Sequence, residues 1–101
     1  MAFTIVLDPR AVRDIQESID YYEEQKLGLG KRFEKHVDHS LSILIKNPFF
    51  QVRYDEVRCL PLIKFPHMIH YTINEEKKVV IVRAVFHTAK DPGVWKQRKD
   101  L

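Results

Sequence analysis

The chain has 101 residues, 45% of them hydrophobic and 31% charged, with 3 Gly and 5 Pro. That composition excludes a disordered, collagen-like or low-complexity chain and predicts a single domain over residues 1–101. The formal charge of +3 is unevenly spread: residues 1–50 carry seven Lys or Arg against eight Asp or Glu, and residues 51–101 carry ten against six. The basic second half suits a phosphate-bearing or acidic partner, or serves only to keep a small protein in solution. One cysteine, Cys59, excludes an internal disulfide. No charged-then-apolar leader opens the sequence, and no apolar run approaches the roughly 20 residues of a membrane span, so the expected location is the cytoplasm, away from the membrane.

In chain order, Phe3 to Leu7 is a short β-prone run. Asp8 then offers a side-chain oxygen to the next backbone N–H groups, and Pro9 is preset for the first helical position. Val12, Ile15, Ile19 and Tyr22 recur at helical spacing, with Arg13, Asp14, Gln16, Glu17 and Asp20 forming a wet face between them. The helix should fade near Lys26, ahead of Leu27-Gly28-Leu29-Gly30. Phe33, Val37, Leu41 and Leu44 form the stripe of a second helix, stopped by Asn47-Pro48. Two such helices joined by a short loop make a hairpin that must bury its seam on another layer.

Four strand-like runs supply that layer: Phe50 to Tyr54, Val57 to Ile63, His67 to Ile73 and Val79 to Phe86. Asp55-Glu56 and the stretch Asn74 to Lys78 read as hairpin connections, so the sheet is expected to be mainly antiparallel. The last run is apolar on both faces except for Arg83, which places it inside the sheet. Asp91-Pro92-Gly93 should cap a short basic helix, Val94 to Lys99. The predicted class is α+β: an N-terminal strand and a two-helix hairpin packed on a twisted sheet, with a short C-terminal helix.

Simple alternation puts Arg83 on one strand face with Ile81, Val85 and His87. A guanidinium there needs solvent or a partner: either an ion pair with Asp55, Glu56 or Glu75, or a bound anion whose oxygens fit its planar fork. His87, four residues on, is either a polar anchor for the loop or a group that gives and takes a proton. With Lys90, and with Arg58 or Lys64 from a neighbouring strand, these would form a cationic patch. His36 and His39 lack a third ligand, and His67 and His70 point to opposite strand faces, so no metal site is expected. Cys59 reads as a small core residue, and Trp95 as a staple for the last helix, with stacking on a base as the second reading.

The order of elements, with Leu62-Ile63-Lys64-Phe65-Pro66-His67-Met68-Ile69-His70-Tyr71, Val85-Phe86-His87-Thr88-Ala89-Lys90-Asp91-Pro92 and Trp95, resembles the RelE/ParE superfamily, the toxins of type II toxin–antitoxin (plasmid-stabilisation) modules. Asp8-Pro9-Arg10-Ala11, Asp14-Ile15 and Tyr21-Tyr22 also fit the family's opening helix. The resemblance covers nearly the whole chain. It implies growth inhibition, a cognate antitoxin that wraps and blocks the toxin in a hetero-oligomer, and no cofactor. It also implies one of two targets. RelE-like members cut mRNA on the ribosome without metal; here Arg83 would neutralise the phosphate, His87 would act as acid or base, and Lys90 would steady the charge, with Arg58, Lys64 and Trp95 contacting the nucleic acid or other target. ParE-like members inhibit DNA gyrase by binding. Met68 stands where ribosome-dependent members tend to carry arginine, and Leu60, Pro61 and Leu62 where lysines would be wanted, which tilts the reading slightly toward gyrase-type or unassigned toxicity over RNA cleavage. A degenerate member serving only as a binding module in an antitoxin–DNA repressor complex is the alternative.

Overall fold

The computed structural model describes residues 2–90 and 92–94. The elements run β1 (Thr4–Leu7), α1 (Pro9–Gln25), α2 (Leu29–Lys46), β2 (Val52–Tyr54), β3 (Val57–Pro61), β4 (His67–Asn74) and β5 (Val79–His87). The strands form one sheet in the order β1-β5-β4-β3-β2, antiparallel throughout except that β1 lies parallel to β5. The expected α+β architecture is present, with shorter β2 and β3 than the apolar runs suggested. The basic helix expected at Val94 to Lys99, its Asp91 cap and Trp95 lie outside the described residues, save for a helical stretch at 92–94.

Local chemistry explains each boundary. Asp8 closes β1, its carboxylate accepting from the backbone N–H of Arg10 at 2.9 Å and pairing with the Arg10 guanidinium at 2.6 Å. That side-chain bond outweighs the cost of burial and holds the Asp8 carboxyl down at about 2. Pro9 then opens α1. No side chain of its own caps α2; its cap residue, Gly28, sits at φ +87°. Glu23 of α1 does this work, accepting from Gly28 N–H at 2.9 Å and Gly30 N–H at 3.0 Å. The helices cross tightly there, because a Cβ on Gly30 would lie 2.7 Å from the Ile19 carbonyl oxygen. Asp55 and Glu56 make the two-residue turn between β2 and β3 with φ of +40° and +70°, a primed-turn geometry that glycine adopts more cheaply.

The core lies between the helical hairpin and one sheet face. Phe33, Val37 and Leu44 of α2 meet Leu60 of β3, Ile69 and Tyr71 of β4, and Val80, Val82 and Val85 of β5. Tyr71 satisfies its hydroxyl by donating to the Pro48 carbonyl at 2.7 Å. No helix among the described residues is long and apolar enough to cross a membrane.

Candidate functional site

The register of β4 on β5 decides which residues can act together. Ile73, Tyr71 and Ile69, two apart on β4, pair with Val80, Val82 and Val85. The last two partners are three residues apart, so β5 carries an extra residue at Arg83–Ala84, opposite His70. This is a β-bulge, and it shifts the alternation by one. Below it, Val80 and Val82 face the helices; above it, Val85 and His87 do. Arg83 falls on the other face, where its Nε donates to Thr72 Oγ1 at 3.3 Å. The expectation that Arg83, Val85 and His87 share a face is therefore corrected: the period is broken between them.

His87 ends β5 opposite His67, the first residue of β4, with ring centroids 5.3 Å apart. His67 is buried beneath the helices, its ring 5.0 Å from Phe33 and 5.8 Å from Tyr22. Burial first, and the neighbouring His87 second, lower its pKa to about 4, so it is a neutral packing group at ordinary pH. Its Nε2 lies 3.5 Å from Ser18 Oγ, while its buried Nδ1 has no hydrogen-bond partner among the described residues. His87 is exposed, and its Nδ1 accepts from Ala89 N–H at 3.0 Å, which puts the proton of the neutral ring on Nε2. A groove of about 330 Å³ between α1 and this pair is lined by Glu17, Ser18, Tyr21, Tyr22, His67 and His87. A smaller one beside it adds Asp14 and Lys90.

The predicted cationic residues separate into two sets. Lys64 lies in the turn before β4, whose Pro66 carbonyl accepts from Thr88 N–H, and so belongs to the same end as His87 and Lys90. The Lys90 ammonium rests 5.3 Å from the centre of the Phe86 ring. Arg58 pairs with Tyr71, four residues or about 13 Å along β4. It points to the helix side, donating to the Phe50 carbonyl at 2.6 Å. Arg83 lies equally far along on the opposite face. Glu56 and Glu75 line both the groove beside Arg58 and the one beside Arg83, so each arginine shares its groove with acidic side chains. Trp95 lies outside the described residues.

His67 and His70 face opposite ways, as their spacing implied. Cys59 is buried on the sheet face away from the helices, 3.4 Å from His70 Nδ1, and burial pushes its thiol up to about 11. A thiol so raised stays protonated at ordinary pH. His36 packs on Phe65. Among the described residues no three His, Cys, Asp or Glu side chains converge as metal ligands.

The sequence reading missed Asp14. Assigned to the wet face of α1, it is half-buried and its carboxylate accepts from Val85 N–H at 3.1 Å, across 71 residues of chain. Asp14, Ser18 and Tyr22 recur every fourth residue and meet Val85, His67 and again His67. This polar stripe beside the apolar one was the available signal.

A family model described as "ParE toxin of type II toxin-antitoxin system, parDE" matches residues 5–92. The chain belongs to the ParE toxin family. In three dimensions this ParE-family toxin is similar to a free E. coli RelE toxin carrying two arginine-to-alanine substitutions, with TM-score 0.70 and 18% identity over 100% of this chain and 99% of that one. It is also similar to the chromosomal ParDE system of P. aeruginosa, at 0.68 and 14% over 85% and 96%. The E. coli RelBE toxin–antitoxin complex gives 0.68 and 18% over 88% and 100%. At such identities the likeness is one of fold alone, and membership rests on the family model. No curated protein is similar enough in sequence to match.

Proposed function

We propose that this toxin arrests growth by binding DNA gyrase, and that a cognate antitoxin holds it inactive. Family membership supports the toxin and antitoxin parts, and complexes with antitoxins occur among its structural relatives. The choice of a binding mechanism rests on one observation: the bulge at Arg83–Ala84 puts Arg83 and His87 on opposite sheet faces. In-line cleavage of RNA needs a cation on the scissile phosphate within reach of the group that moves the proton. Among the described residues the cations at the His87 end are Lys90 and Lys64, and Asp14 and Glu17 line the groove that Lys90 borders, repelling a phosphate. His87, Lys90 and Lys64 are instead the side chains this end offers to a protein surface.

The test is a supercoiling assay with purified gyrase and no ribosomes. The protein should block supercoiling or trap cleaved DNA, and stoichiometric antitoxin should reverse the effect. Normal supercoiling, together with ribosome-dependent mRNA cleavage that His87→Ala abolishes, would instead establish the nuclease reading. Unimpaired growth on expression of the isolated chain would leave only the degenerate binding module.

A further inference from the structure

β1 stops at Leu7, opposite Val82, while β5 continues to His87. Over its last five residues β5 therefore has, among the described residues, a strand neighbour only on the β4 side. This is also where the bulge lets a strand bend and twist. A strand end so placed would fray, because its outward N–H groups have only water to bond. Asp14 fills that gap. Its carboxylate takes the Val85 N–H immediately past the bulge, a charge-assisted bond anchored on a rigid helix whose start is fixed by Asp8 and Pro9.

We infer that Asp14 is the positioning residue of the toxin's working end: by pinning Val85 to α1 it sets the direction in which His87 and Lys90 leave the sheet. This rests on the reading that this end contacts the target. The bond ties the face reached by His87 to helix α1 rather than to a further strand.

Two substitutions separate the acceptor from the charge. Asp14→Leu removes the acceptor, whereas Asp14→Asn keeps an oxygen in place without the charge. Amide exchange at Val85 should quicken by about tenfold or more in Asp14→Leu, the effect of losing a hydrogen bond to a charged group. Growth arrest and gyrase inhibition should fall at least as far. Asp14→Asn should retain most of both. Glu23→Ala, which removes the acceptor for the Gly28 and Gly30 N–H groups at the far end of α1 and so lowers the melting temperature without touching Val85, should keep its toxicity and so separates positioning from stability. Full toxicity in a folded Asp14→Leu protein, or an Asp14→Asn protein with a protected Val85 amide but no toxicity, overturns the proposal. If Asp14→Leu does not fold, the Asp14→Asn result decides alone. A wild-type protein that spares gyrase sinks the target assignment, while Val85 exchange and growth arrest still judge Asp14.

Discussion

The two halves of β5 obey different rules. From Val79 to Val82 the strand is flanked by β1 and β4, and its burial alternates with period two. From Arg83 to His87 it has β4 alone among the described strands, begins with a bulge, and takes its second anchor from a helix carboxylate. In the lower half, neighbours on both sides fix each side chain's face, so the sequence pattern suffices. In the upper half the face of a residue depends on a contact with α1.

Four measurements tell the two halves apart. The largest effect belongs to Val82→Asp, which buries an unpaired carboxylate in the lower half. It should cost more than about 4 kcal/mol, and no cooperative unfolding transition should be seen by circular dichroism. Acidification attacks the upper half. The pKa of His67 is lowered to about 4 from an ordinary 6.5, so the folded state prefers the neutral ring. Its contribution is intact above pH 6.5 and is lost as pH falls to 4, by up to roughly 3 kcal/mol in denaturant titrations. His67→Leu should flatten that window. Asp8, lowered to about 2, contributes above pH 3.8 and loses its contribution only as pH falls further toward 2, so the two groups titrate separately.

Asp8→Ala, at the joint between the halves, should cost about 1 kcal/mol through the lost helix cap, read as a lower melting temperature. Smallest is Arg83→Leu: a half-buried bulge residue on the face away from the helices should change stability by less than about 1 kcal/mol. A loss as large as that of Val82→Asp would mean that the two halves are not distinct.

Most of the fold was legible because it rests on periods and stop signals. The stripes of α1 and α2, Asn47-Pro48 and the Asp55-Glu56 turn all act locally, and each appears where the sequence put it. The site was legible in part. His87, Lys90 and Lys64 do gather at one end, whereas Arg83 and Arg58 do not join them. A bulge belongs to a pair of strands, so nothing within Val79 to His87 announces that His70 will oppose two residues. Asp14 was hidden for a related reason. Its partner exists only because β1 ends five residues short of β5, and a carboxylate on a helix otherwise reads as solvated.

The bond from Glu23 to the start of α2 bears on the order of folding. With no capping side chain of its own, α2 gains its first-turn acceptors only once the last turn of α1 has formed and closed against it. Helix initiation is the unfavourable step, so the hairpin should assemble as a single kinetic unit. Glu23→Ala should accordingly slow refolding more than it speeds unfolding, the mark of a contact already made at the barrier.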